Sequence, residues 1–152
     1  MHVLIPEKSL YFLTLHLKLS SIFFSTQLLD IFSYQIFFSK TKFSFTSVIV
    51  YVFHNIKQQQ HFILFSSKNS SSSTSSIKSI TEFYPNASWL EREVAELNGI
   101  QFSGKKDIRN LMLQYGDVTT PFKKSFPSIG LKEFFYDGLN DLIVQSPVSI
   151  QI

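Results

Sequence analysis

Any chemistry this chain performs must come from a few charged residues, and those concentrate in residues 88–112, SWLEREVAELNGIQFSGKKDIRNLM. There Glu91, Arg92, Glu93 and Glu96 fall within six positions, beside the sole tryptophan, Trp89. Paired carboxylates can run general acid–base hydrolysis. On a helix, however, Glu91 and Glu93 point away from each other, and no second acidic cluster stands elsewhere to face them. Serine is abundant but never sits in G-x-S-x-G, so a nucleophile elbow is missing. The chain has no cysteine, which removes thiolate zinc sites, catalytic thiols and cysteine-ligated iron–sulfur clusters together. His2, His16, His54 and His61 show no i,i+3 or i,i+4 pairing, and the five glycines never form G-x-G. The residues offer no hydrolytic pairing, metal set or redox-cofactor motif, and leave open what the acidic cluster serves.

The cluster must be positioned by a helix. Ser88 with Glu91 three residues later forms a capping box, which predicts a helix over 88–98, stopped by Asn98-Gly99. Trp89, Leu90, Val94 and Leu97 would supply its apolar face, and Arg92 and Glu96 would pair at i,i+4. Trp89 then reads as a core or anchor residue, and Glu93 is left over. A shorter helix is predicted after Gly104, with Ile108, Leu111, Met112 and Tyr115 on one side and Asp107 near its start. Lys105-Lys106 and Lys123-Lys124 read as solvated turns.

Upstream, residues 9–24 fit a helix through Leu10, Leu13 and Leu17, although Leu13, Leu15, Leu17 and Leu19 also alternate as a strand would. Residues 25–39 and 43–53 are predicted strands. The second, FSFTSVIVYVF, is β-branched and aromatic on both alternating faces, the mark of a central strand covered on both sides. Residues 54–60 form a polar connector to another apolar run at 61–67, together a hairpin with a long loop. Residues 66–76 are low-complexity and read as a flexible serine-rich loop. After Gly116, Pro121, Pro127, Gly130 and Gly138 divide the chain into short segments with little capacity for a core, expected to lie extended over a surface.

The 152 residues predict one domain with ample apolar surface, at 44% hydrophobic and 16% aromatic. Formal charge is +4 over residues 1–76 and −1 over 77–152, with no Lys/Arg block dense enough to follow a run of phosphates; no nucleic acid is expected. Residues 19–39 come nearest to a membrane span, but Asp30, two Gln and five Ser interrupt them, so no direct span is expected. Only two Ala and two Arg against 12 Lys and 17 Phe is the skew of an AT-rich coding sequence, which points to an organellar or parasite-like genome.

Residues 83–137 resemble the signature region of the 30-kDa subunit family of respiratory complex I, known as NADH dehydrogenase subunit 9 in organelles and as the C subunit in bacteria. Tyr84-Pro85, Ala87, Trp89, Glu91-Arg92-Glu93, Gly99-Ile100, Phe102, Gly104, Asp107, Arg109, Tyr115-Gly116, Pro121, Lys124, Phe126-Pro127 and Tyr136-Asp137 fall in register with the family pattern. Lys105-Lys106 stands where that pattern has His-Pro. The resemblance implies an α+β fold: a two-layer ferredoxin-like N-terminal domain over 1–100, then a short helix and an extended, mostly irregular docking segment over 101–152. It implies a non-catalytic subunit of the quinone-reducing module in the peripheral arm, on the matrix side of the mitochondrial inner membrane. That subunit packs against the 49-kDa subunit and its neighbours, while FMN and iron–sulfur clusters belong to partner subunits. The residues expected at the interface are Trp89, Glu91, Arg92, Glu93, Glu96, Asp107, Arg109, Tyr115, Lys123, Lys124, Tyr136 and Asp137. A same-family subunit of a plastid-type complex and a free-standing protein-binding module are the alternatives.

Overall fold

The computed structural model describes residues 2–20, 23, 26–37, 45–69 and 76–149. Strand β1 (His2–Ile5) leads through a single 3₁₀ turn into helix α1 (Leu10–Leu19). Leu10, Thr14 and Leu17 are buried at i, i+4 and i+7, so the helical spacing wins over the alternating one. Strands β2 (Thr26–Phe37), β3 (Phe45–Asn55) and β4 (Gln60–Asn69) follow as an antiparallel meander. Strand β1, too short at four residues to stand out in the sequence, adds parallel to β4 and completes the order β1-β4-β3-β2.

Strand β3 holds the centre. Ile49, Tyr51 and Phe53 alternate toward the helices and are fully buried, joined in one core by Ile5, Leu10, Leu28, Ile31, Leu64 and Val94. A bulge between Leu28 and Asp30 resets the register of β2, which is how Leu28 and Ile31, three apart, both reach that core. The β3–β4 hairpin turns over Ile56–Gln59, a shorter loop than expected. The Asn55 side chain accepts hydrogen bonds from the Lys57 and Gln58 amides, and Gln59 takes a positive φ of 51° to close the turn.

Three expectations need correction here. Residues 66–69, read as the start of a flexible serine loop, continue β4 and pair with Thr46–Ile49; residues 70–75 lie outside the described residues. No helix forms after Gly104. Residues 104–131 are irregular, and the C-terminal part, expected to be mostly irregular, contains the hairpin β7 (Lys132–Asp137) and β8 (Leu142–Pro147). The two-residue strands β5 (Ile77–Lys78) and β6 (Phe102–Ser103) pair in parallel and flank helix α2 (Ala87–Asn98).

The class is α+β, with both helices toward one side of a mixed sheet. A ferredoxin-like domain runs βαββαβ, whereas four strands, β2 to β5, three of them in the main sheet, follow α1 here before α2. Asn86 and Asn98 pin α2 at its two ends, donating to the Leu28 and Ser33 carbonyls of β2. That anchoring sets which face of α2 the acidic cluster occupies.

Candidate docking site built on the acidic helix

Helix α2 begins one residue earlier than the capping box predicts, with Asn86 at the N-cap and no side-chain cap. Its buried stripe is Ala87, Glu91, Val94 and Asn98, at steps of four, three and four. Trp89 is off that stripe and 65% exposed, so it is not part of the core. Glu91, expected to reach back to Ser88, instead turns inward and is fully buried.

A buried carboxylate must be paired and hydrogen-bonded. Glu91 accepts from the Ser79 hydroxyl at 2.6 Å and the Ile80 amide at 2.9 Å. Its ion-pair partner is Lys105, at 3.4 Å, whose ammonium also donates to the Ser88 carbonyl at 2.8 Å. Lys105 is therefore not the solvated turn residue expected; its side chain is 3% exposed. Burial pulls the Lys105 ammonium below its ordinary pKa, and the neighbouring Glu91 charge opposes that shift. Burial also drives the Tyr51 hydroxyl well above the ordinary tyrosine range, with Glu91 adding to the effect.

Arg92 and Glu96 do not pair with each other. Arg92 donates from Nε to the Arg109 carbonyl at 2.8 Å, from Nη2 to the Asn110 carbonyl at 3.1 Å, and from Nη1 to Asp107 at 3.4 Å. One turn on, the Glu96 carboxylate accepts the amides of Leu111, Met112 and Leu113 at 2.8, 2.7 and 3.3 Å. The cation takes the carbonyls of the loop and the anion takes its amides. This is why the predicted second helix does not form: the polar backbone groups a helix would satisfy internally are already bound by α2.

Asp107 and Arg109 form a two-point pair, Nε to Oδ1 at 3.0 Å and Nη2 to Oδ2 at 2.9 Å, beside Arg92. Hydrogen bonds from Arg109 hold the Asp107 carboxyl well below the usual carboxylate range. At the far end of α2, Gly99 adopts a left-handed φ of 67°, where a Cβ would lie 2.5 Å from the Lys123 ammonium. Lys123 thus sits over the helix C-terminus, where a cation suits the macrodipole. The Phe122 amide donates to the Leu97 carbonyl, and the Lys124 amide to the Gln35 side chain.

The structure therefore brings Glu91, Arg92, Glu96, Asp107, Arg109 and Lys123 together around α2, with their charges engaged inside the chain. Trp89 and Tyr115 are exposed, and half-buried Glu93 has no hydrogen bond or ion pair within the described residues. Tyr136 and Asp137 lie in the C-terminal hairpin. The Tyr136 hydroxyl bonds Asp141, and Asp137 accepts from the Leu139 amide and Asn140. Sequence reading missed Ser79, Lys105, Asn86 and Asn98. Lys105 alone carried a signal, since an unpaired buried glutamate on α2 demands a cation from a neighbouring loop.

A cleft of about 560 Å³ beside α2 is lined by Arg92, Glu96, Gly99, Phe102, Lys105 and Arg109. Its carboxylate and cations are all committed to structural bonds, and no group of three or more metal-ligating side chains occurs among the described residues. What remains unsatisfied around the helix is apolar. Ile108, Met112, Val118, Phe122, Phe134, Tyr136, Leu139 and Ile143 are all exposed along residues 104–149. A charge brace centred on α2 thus adjoins a segment rich in exposed apolar side chains.

The matching family is the respiratory-chain NADH dehydrogenase 30 Kd subunit, whose model matches residues 5–132, and the chain belongs to it. The chain is 36% identical over 102 residues to the C subunit of NADH-quinone oxidoreductase from Ruegeria pomeroyi, covering 67% of this chain and 50% of that protein. It is 40% identical over 75 residues to the protein of the same name from Thiobacillus denitrificans, covering 49% of this chain and 38% of that one. It spans half or less of the length of these curated relatives. In fold it is similar to Nqo5 in its trypsin-resistant fragment, with TM-score 0.56 and 20% identity over 68% of this chain and 79% of that one. It is also similar to a chain of the membrane-bound sulfane sulfur reductase, an archaeal respiratory membrane complex, with TM-score 0.67 and 16% identity over 85% and 74%.

Proposed function

We propose that this chain is a non-catalytic structural subunit of the quinone-reducing module in the peripheral arm of a mitochondrial NADH:ubiquinone oxidoreductase. It supports electron transfer carried out by its neighbours and docks chiefly on the 49-kDa subunit. The observation that carries this reading is the set of exposed apolar side chains along 104–149, of which the first part, residues 107–113, is tied to α2 by Arg92 and Glu96. The bacterial relatives it resembles support membership of such a complex. The amino-acid skew, that of an AT-rich coding sequence, supports an organellar gene. No helix among the described residues is long and apolar enough to cross a membrane, in keeping with a peripheral position.

Within this reading the interface residues divide into two roles. Glu91, Arg92, Glu96, Asp107 and Lys123 set the shape of the docking edge from within. Trp89, Glu93, Arg109, Tyr115, Lys124, Tyr136 and Asp137, with the apolar tract, meet the partners. Exposed aromatic and arginine side chains are the types that dominate interface energetics. FMN and iron–sulfur clusters sit in companion subunits, as expected of a chain without cysteine.

Purifying the chain from its source under native conditions tests the reading. The expected result is a large particle with flavin and iron–sulfur absorbance carried by other polypeptides, including a 49-kDa subunit. A lone 17.6-kDa species would favour a free-standing binding module and overturn the proposal.

A further inference from the structure

The histidines lack helical spacing, yet the β3–β4 hairpin brings two of them together. His54 and His61 stand opposite each other in the hairpin register. Their strand neighbours Phe53 and Phe62 point into the core, so the two imidazoles lie on the face turned away from the helices. The ring centres are 4.7 Å apart, with the planes 36° from parallel. The backbone beneath them is fixed from both sides. Phe53 and Phe62 are buried on one side, and on the other the Asn55 side chain accepts the amides of Lys57 and Gln58 to lock the turn. The fold itself therefore holds the rings side by side.

The Nδ1 atom of half-buried His54 is itself buried, with no hydrogen-bond partner within the described residues. Buried polar atoms are nearly always paired, so this nitrogen calls for a partner. An imidazole nitrogen can take a hydrogen bond or a metal ion. Two imidazoles on one tetrahedral ion, with metal–nitrogen bonds of about 2.0–2.1 Å, place their ring centres roughly 5 Å apart. The spacing of His54 and His61 already matches, so convergence on an ion needs rotation of the rings and no movement of the strands. Ligand type selects the ion: imidazole suits zinc, copper and nickel, whereas magnesium and calcium take oxygen ligands. His2 shares this face but lies opposite Ile63, its ring against Phe65, and His16 is exposed on α1. No group of three metal-ligating side chains forms among the described residues, so the pair acts with water in the remaining positions.

We propose that His54 and His61 bind one first-row divalent transition-metal ion, of the zinc or copper kind, which clamps β3 to β4 beside their turn. The site is independent of the subunit role proposed above, because both ligands belong to the hairpin and lie across the sheet from α2.

Zinc chloride titrated into the full-length chain, carrying no added histidine tag, tests it. Calorimetry is expected to show one equivalent bound, and zinc is expected to raise the melting temperature, since an ion that favours the folded hairpin stabilises it. Magnesium is expected to do neither. His54→Gln and His61→Gln are each expected to lose the binding and His16→Gln to keep it, while all three melt close to the parent in EDTA. In the parent chain, the ring nitrogen resonances of His54 and His61 are expected to shift with zinc, a readout that needs no variant. Absence of one-equivalent binding, its retention in both pair variants, or zinc-dependent shifts at His2 or His16 in place of the pair would overturn the proposal.

Discussion

Residues 26–66 and residues 104–149 both carry a heavy aromatic load, and they dispose of it in opposite ways. In the first, a long central strand hydrogen-bonded on both sides buries Tyr51 and Phe53 completely under two helices. In the second, Phe134, Phe135 and Tyr136 project from both faces of a two-stranded ribbon and stay largely exposed. An isolated hairpin is marginal in water, because two strands cannot cover their own apolar side chains. The first region can finish its core within the chain. In the second, α2 holds residues 107–113 and Phe122 by polar bonds, while the 132–147 hairpin stays exposed. Burial is thus complete in the helix-covered core of the sheet layer and incomplete along the tail.

Substitutions in the brace that joins the two regions should break this contrast most strongly. Glu91→Ala removes the partner of the buried Lys105 and leaves Ser79 and the Ile80 amide unsatisfied; a loss of about 3–5 kcal/mol is expected, read as a fall in the denaturant midpoint and in assembled particle. Glu96→Ala should detach the loop without disturbing the sheet. It abandons three amides and costs roughly 1.5–3 kcal/mol per charge-assisted bond at most, visible as faster amide exchange at Leu111–Leu113 with β3 unchanged. Gly99→Ala forces a side chain into the left-handed region and against Lys123. About 1–2 kcal/mol is expected, with a lowered melting temperature.

The smallest expected effect is electrostatic. The Asp107 carboxyl is held below its ordinary value in the folded chain, so its contribution is present above the unfolded pKa of about 4 and is lost as pH falls below it. Proteolysis after Arg109 should therefore accelerate on acidification through that range, and Asp107→Asn should abolish the pH dependence.

These effects also mark where the sequence was legible. The β3–β4 hairpin and the Gly99 stop announced themselves through periodicity and turn chemistry, because local pattern and tertiary burial agree there, whereas the leucine spacing over 9–24 fitted helix and strand alike. The short helix expected after Gly104 failed although Ile108, Leu111, Met112 and Tyr115 have the right spacing. Distant side chains, Arg92 and Glu96, captured its backbone, and propensity cannot register that. The capping box failed for a related reason: Ser88 and Glu91 have the correct offset, but Glu91 was recruited into the core by Lys105. The order of the signature residues carried the family, whereas the pairing inside it was visible only in three dimensions.

Amide hydrogen exchange on the isolated full-length chain and on the native particle tests the central contrast most directly. The expected result is slow exchange across β2–β4 and α2 in both, with residues 132–147 exchanging fast in the isolated chain and slowly in the particle. Protection of β7–β8 equal to that of β3 in the isolated chain would contradict it.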